Sequence, residues 1–164
     1  MNMNQTPQGE RVHIAFFGKT NVGKSSLINK IVNQEISIVS EISGTTTDPV
    51  KKAMEIHGIG AALIIDTAGF DDDSELGEKR MEKTSHILNK TDIAVIVTTP
   101  DDIISDFSKE LTWIEKIKEK NIPYLMVINK IDLSKDMDIL KKRAIELTSK
   151  EAILVSVKEN IGIE

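Results

Sequence analysis

The stretch VHIAFFGKTNVGKS, Val12 to Ser25, decides the architecture. Val12–Phe17 is a continuous apolar run of strand length. It leads into GKTNVGKS, Gly18 to Ser25, after which Leu27, Ile28, Ile31 and Val32 recur at the spacing of one helical face. Strand, Gly-x-x-x-x-Gly-Lys-Ser loop and helix in that order form a phosphate cradle. Glycines permit a tight turn that aims backbone N–H groups at phosphate oxygens. The helix N-terminus adds its positive dipole end. Lys24 is placed to reach the β- and γ-phosphates, and the Ser25 hydroxyl to bind Mg²⁺. Gly18, Asn21, Val22, Gly23 and Ser26 complete the candidate phosphate-binding set. The bland alternative, a glycine-rich turn before a helix, is disfavoured by this context.

Further aliphatic runs lie at Val50–Ile56, Ala61–Ile65, Ile93–Val97, Tyr124–Ile128 and Ala152–Ser156. With Val12–Phe17 they make six expected strands. Most are nearly all Ile, Val and Leu, as strands covered on both faces require. Leu111, Ile114 and Ile117 share one helical face, and Ile139, Leu140, Ala144 and Leu147 another. The alternation predicts an α/β fold, a mainly parallel sheet with helices on both faces. Only HGIG joins Val50–Ile56 to Ala61–Ile65, too short for a crossover, so these two predict an antiparallel hairpin at one edge.

The 164 residues suit one domain, residues 11–164, preceded by a polar tail, residues 1–10. SVKENIGIE follows the last strand, where a doubly wound sheet expects another helix, so the domain reads as cut short of its last helix. Cysteine is absent, which excludes a disulfide scaffold, a thiolate zinc site, a cysteine nucleophile and an iron–sulfur cluster held by this stretch. Twenty-one Lys and Arg against 26 Asp and Glu give −5, which argues against a globally basic nucleic-acid binder. No apolar run is long enough to span a bilayer, and residues 1–10 carry no signal-peptide pattern, so the cytoplasm is the expected compartment.

Three more stretches carry chemistry. DTAG, Asp66 to Gly69, ends the strand Ala61–Ile65. A carboxylate there can face Mg²⁺ through water, and Gly69 can bring its N–H close to a γ-phosphate. NKID, Asn129 to Asp132, follows Tyr124–Ile128. Asp132 can accept from both N1–H and the 2-amino group of guanine, donors that adenine lacks. At about 1.5–3 kcal/mol for each charge-assisted bond, two discriminate on the order of 10²–10⁴-fold. Lys130 offers a stem to lie over the base, and Asn129 holds the loop. Ser156, Val157 and Lys158 follow the last strand, where the Val157 N–H can reach the guanine O6.

These four stretches resemble, in order, the Ras-like P-loop GTPases, over essentially Val12 to Gly162. The resemblance implies their fold, with six strands and one antiparallel edge strand, GTP and GDP as ligands, and Mg²⁺ held by Ser25, Thr46 and, through water, Asp66. Thr46 comes from matching GTTTD to the GTTRD of bacterial tRNA-modification and ribosome-assembly GTPases; Thr47 stands where they carry Arg. Lys24, Thr46 and Gly69 are then the groups that meet the γ-phosphate. In the potassium-activated branch an Asn like Asn21, with switch carbonyls matching Ser40 and Ile42, holds K⁺. Phe70 stands where Ras-type enzymes carry a water-orienting Gln, and by resemblance Glu78 is the replacement. Its plain alternative is a solvated first-turn charge.

The stretches GTTTDPV, KAMEI, DTAGFDDDSELGEKRMEKT and LNKTDIAV resemble more narrowly the GTPase domain of the HydF family, which matures the active-site H-cluster of FeFe-hydrogenases. That resemblance implies a switch in hydrogenase maturation, with homodimerisation and iron–sulfur cluster domains outside this chain. It also implies partnership with the other maturation enzymes and the hydrogenase. The alternatives are an RNA-associated GTPase of tRNA modification or ribosome assembly, and a nucleotide-gated scaffold with negligible turnover. A P-loop kinase has no use for NKID. The run Asp71–Glu75 reads as solvated switch charge, His13, His57 and His86 lack metal-site spacing, and Trp113 reads as packing.

Overall fold

The computed structural model describes residues 10–34, 40–42, 50–67, 82 and 85–163. The strands are β1 Val12–Gly18, β2 Ser40–Ile42, β3 Val50–Ile56, β4 Gly60–Asp66, β5 Ile93–Thr98, β6 Tyr124–Ile128 and β7 Ala152–Leu154. The helices are α1 Lys24–Gln34, α2 Pro100–Ile104, α3 Ser108–Glu119 and α4 Met137–Thr148, with a 3-10 turn at Ile131–Leu133. Among the described residues, one sheet of seven strands runs β2-β3-β4-β1-β5-β6-β7. β1 pairs in parallel with β4 and β5, and β5–β6 and β6–β7 are also parallel.

The sheet separates two apolar layers. Ala15, Phe17, Leu63, Ile65, Ala94, Ile96, Tyr124, Met126 and Ile128 point to one face. There they meet Ile103 of α2, Trp113, Ile114 and Ile117 of α3, and Leu140 and Ala144 of α4. Ile14, Phe16, Ala62, Ile64, Val95, Val97 and Val127 point the other way, onto Leu27, Ile28 and Val32 of α1. The period-2 alternation of strand side chains explains how unbroken apolar runs feed both layers. Trp113 is core, stacked on Phe17 with ring centroids 5.9 Å apart.

The hairpin forms as expected, antiparallel from Val50↔Asp66 to Ile56↔Gly60. It is not the sheet edge, however. β2 pairs antiparallel outside it, Ser40↔Ala53 to Ile42↔Lys51, and adds a seventh strand to the six expected. The three-residue SEI has no periodicity of its own and is called into the sheet by β3. Two further expectations need correcting. The last strand stops at Leu154, because Ser156 pairs in an isolated bridge with Ile161. Ile139 lies outside the buried stripe of α4, which runs through Leu140, Ala144 and Thr148. No helix among the described residues is long and apolar enough to cross a membrane.

Candidate functional site

The parallel strands β1, β4, β5 and β6 end together, and the loops leaving β1, β4 and β6 meet there, as open α/β sheets place ligands at the carboxyl ends of their strands. A cleft of about 510 Å³ opens between Thr20, Asn21, Gly23, Lys24, Ser25, Ser26, Asp66, Thr67 and Lys130. That volume suits a nucleotide-sized ligand.

Gly18 and Gly23 frame the phosphate loop for different reasons. A Cβ on Gly18 would lie 2.5 Å from the Val97 carbonyl oxygen, so close packing on β5 requires glycine. Gly23 adopts φ 93, and a Cβ there would collide with the Asn129 amide. Asn21 is left-handed at φ 67, a conformation that Asn tolerates better than most side chains. Its place in the loop therefore has a backbone reason besides any cation. Lys24, 7% exposed, lies along the loop and donates to Gly18 O at 3.1 Å and Lys19 O at 3.2 Å.

Ser25 Oγ donates to Asp66 Oδ2, joining the start of α1 to the end of β4. A hydroxyl and a carboxylate side by side are hard oxygen donors of the kind Mg²⁺ takes, so the residues present fit that ion. Thr67, not singled out by sequence reasoning, fixes the strand end: its Oγ1 donates to Phe16 O at 2.6 Å. Among the described residues no three His, Asp or Glu side chains cluster as a metal site on their own.

Asn129 joins three loops. It is 2% exposed; Nδ2 donates to Val22 O at 3.0 Å, and Oδ1 accepts from the Val157 N–H at 3.2 Å. Its own N–H donates to Thr98 O at 2.9 Å. The Val157 N–H, expected to reach the base, is thus used to close this tie. Lys130, left-handed at φ 62, donates through Nζ to Asn21 O at 2.7 Å and so spans from base loop to phosphate loop. Asp132 is exposed, and its Oδ1 accepts from Ser156 Oγ at 2.7 Å. Ser26 and Lys158 are exposed.

The phosphate loop, Asp66, the base loop and Ser156–Val157 therefore converge. Ser40 and Ile42 lie in β2, the strand three positions from β1 in the sheet order. Thr46, Gly69 and Glu78 lie outside the described residues.

Sequence reasoning also missed an ion cluster beneath the loop. Lys19 Nζ lies 3.1 Å from Asp102 Oδ1, 3.2 Å from Glu110 Oε1 and 3.2 Å from the Asp106 carbonyl. Burial holds the Glu110 carboxyl above its ordinary value of 4.5, although Lys19 pulls it down. Lys19 itself stands above 10.5: burial opposes its charge, and Asp102 and Glu110 together outweigh that. The available signal was Glu110 on the same helical stripe as Trp113, Ile114 and Ile117, a charge where apolar residues belong.

Comparison with known proteins agrees with this geometry. The family model described as 50S ribosome-binding GTPase matches residues 13–130. GTPase Der of Campylobacter curvus is 38% identical over 154 residues, covering 92% of this chain and 32% of that protein. The tRNA modification GTPase MnmE of Desulforamulus reducens is 36% identical over 157 residues, covering 94% and 33%. The chain thus spans about a third of the length of these relatives. Era of Aquifex aeolicus, a variant bound to GDP and AlF4⁻, superposes with TM-score 0.70 at 26% identity, over 90% of this chain and 52% of that one. Era in complex with MgGDPNP and a 16S ribosomal RNA segment gives TM-score 0.66 at 27% identity, over 91% and 52%. The fold is that of the Ras-like P-loop GTPases.

Proposed function

The chain belongs to the 50S ribosome-binding GTPase family, and from this we propose that it binds GTP and GDP with Mg²⁺ and hydrolyses GTP as a nucleotide switch. One observation carries the reading. The phosphate loop, the Ser25–Asp66 pair and the base loop face one cleft, and Asn129 locks the first to the third.

In this proposal the loop N–H groups and the α1 N-terminus hold the phosphates, and Lys24 neutralises the β and γ oxygens. The neighbouring Ser25 hydroxyl and Asp66 carboxylate would hold Mg²⁺, Asp66 through water. Held there, Mg²⁺ would supply positive charge against the phosphates as negative charge develops. Asp132, oriented by Ser156, reads guanine, and the Lys130 stem lies over the ring. Thr46 and Gly69 sense the γ-phosphate, and Glu78 positions water; these three are carried by the sequence match. Asn21, with the backbone carbonyls of Ser40 and Ile42, takes part in a K⁺ site by the same sequence match. The test is GTP hydrolysis by the purified chain with Mg²⁺ in matched KCl and NaCl. Tight binding without turnover in either salt would replace the enzyme with a nucleotide-gated scaffold.

The cellular role divides in two. An RNA-associated role draws its support from the relatives: a tRNA modification GTPase at 36% identity, and Era bound to 16S ribosomal RNA. Hydrogenase maturation is the second reading. It rests on GTTTDPV, KAMEI, DTAGFDDDSELGEKRMEKT and LNKTDIAV, which extend beyond the nucleotide motifs, and it brings homodimerisation, an iron–sulfur domain elsewhere and hydrogenase partners. Nucleotide-dependent RNA co-purification of the native protein supports the first. Loss of hydrogenase activation on Lys24→Ala in the host supports the second.

A further inference from the structure

We infer that Lys19 is a positioning residue for GTP turnover, holding the phosphate loop to α3 through a buried charge so that Lys24 rests in register with the phosphates. The inference rests on reading the cleft as a GTP site. It concerns a residue that the loop pattern leaves undefined, the first x after Gly18.

Lys19 has two ends with different tasks. Its side chain, 14% exposed, turns beneath the loop. The ammonium donates to Asp102 Oδ1 at 3.1 Å and Asp106 O at 3.2 Å, and it forms an ion pair with Glu110 Oε1 at 3.2 Å. Its backbone carbonyl accepts from Lys24 Nζ at 3.2 Å, beside the bond from Lys24 to Gly18 O. The peptide on which the phosphate-binding ammonium rests is therefore pinned from below by its own side chain.

The anchors are themselves fixed. Asp102 lies in α2, and its second oxygen accepts from Thr99 Oγ1 at 3.0 Å. Thr99 caps that helix. Glu110 is 1% exposed, in the first turn of α3, on the stripe that carries Trp113 and Ile117 into the core. A carboxylate at that depth is expensive, and an apolar residue there would suit stability better. A purely structural account leaves the Lys–Glu pair unexplained. An ammonium bonded to Asp102 and Asp106 O, with a polar group at position 110 beside it, gives the loop a single seat, which apolar contact does not. Just past the end of α3, Lys120 Nζ donates to Asn89 Oδ1 at 2.7 Å.

The test uses Lys19→Met, Glu110→Gln and their combination, each checked for folding by circular dichroism and assayed well below its unfolding midpoint. Gln keeps an acceptor for Lys19, so Glu110→Gln is expected to hold kcat for GTP within threefold of wild type. Lys19→Met is expected to lower kcat at least tenfold and to lower the unfolding midpoint, since it strands a buried carboxylate. Adding Glu110→Gln removes that stranded charge and is expected to return the midpoint, while kcat stays at least tenfold down. Recovery of kcat together with the midpoint would overturn the inference, leaving Lys19 a structural residue. So would wild-type kcat in Lys19→Met. If the midpoint does not return, the kcat criterion applied at 10 °C to folded protein decides alike. A wild-type chain that neither binds nor hydrolyses GTP overturns the site reading and this inference with it. An active wild type with unchanged variants overturns only the inference.

Discussion

Replacing Asn129 by Asp should harm the protein more than replacing it by Ala, although Asp preserves the shape. The Asn129 amide has one partner of each kind: Nδ2 donates to Val22 O at 3.0 Å, and Oδ1 accepts from the Val157 N–H at 3.2 Å. Ala removes both and strands a buried carbonyl and a half-buried N–H. At about 1–3 kcal/mol for each unsatisfied group, with Val157 nearer the lower end, the loss is about 2–4 kcal/mol. For a domain of this size that lowers Tm by roughly 5–15 °C. Asp keeps the acceptor for Val157 but sets a carboxylate against the Val22 carbonyl oxygen, at a position 2% exposed. Like partial charges then face each other at hydrogen-bond distance, and the buried charge adds its own desolvation. The expected order at neutral pH is wild type, then Ala, then Asp, by urea unfolding and by affinity for a fluorescent GDP analogue. Acid should narrow the Asp deficit, because a protonated carboxyl can donate to Val22 O again. The folded variant binds that proton more tightly than the unfolded chain, so stability returns as pH falls through the raised pKa. An Asp variant at least as stable as the Ala variant at pH 7 would refute the assignment of the tie.

Asp132→Asn should exchange preference for guanine towards xanthine nucleotides, read by competition against labelled GDP; unchanged GTP affinity removes Asp132 from base recognition. Ser25→Ala, which takes away the hydroxyl partner of Asp66, should raise the Mg²⁺ concentration needed for half-maximal GTP binding at least tenfold, while Mg²⁺-free GDP binding changes little. Burial holds Glu110 above 4.5, so its contribution to stability is full at acid pH and is lost as pH rises through its raised pKa. Glu110→Gln, which does not titrate, should therefore gain on wild type in urea unfolding between about pH 4.5 and pH 7; a parallel pH course for both proteins contradicts this. Asn21→Gly should keep GDP affinity within about threefold, because glycine takes φ 67 freely and Lys130 bonds the backbone oxygen, not the side chain. The same variant should lose any stimulation of hydrolysis by K⁺ over Na⁺, which makes it a reporter of the Asn21 side chain alone.

What the sequence disclosed follows from where chemistry forces residue identity. A loop that must turn tightly against β5 and pass beside Asn129 needs glycine at 18 and 23. Under the proposed function, a strand end that presents a cation ligand needs an acid such as Asp66, and reading guanine needs an acceptor such as Asp132. Each demand falls within one short segment, so Gly18–Ser25, Asp66 and Asn129–Asp132 were legible without a fold. The strands β1 and β4–β6 were legible for a related reason: burial on both faces leaves little but Ile, Val, Leu and Ala. β2 was not, since Ser40–Ile42 gains strand geometry only from pairing with Lys51–Ala53. Ile139 was misplaced because both it and Leu140 are apolar, and only packing on the sheet decides which of two neighbours turns inward.

The residues that escaped are those whose reason lies far along the chain. Lys19 meets Glu110 across 91 positions and Asp102 across 83. A lysine in a solvent-facing loop and a glutamate in a helix are each unremarked alone. Only Glu110 gives itself away, as a charge on the Trp113–Ile117 stripe. Asn21 shows the converse hazard, since one residue type serves two demands: a left-handed turn and a cation ligand both select Asn. Motif reading sees the second and backbone geometry the first, so residue type alone does not decide between them. Val157 teaches the same in another form. Position assigned its N–H to the base, and the fold spends it on Asn129, which carries the phosphate loop. The base pocket and the phosphate pocket are therefore one mechanical unit.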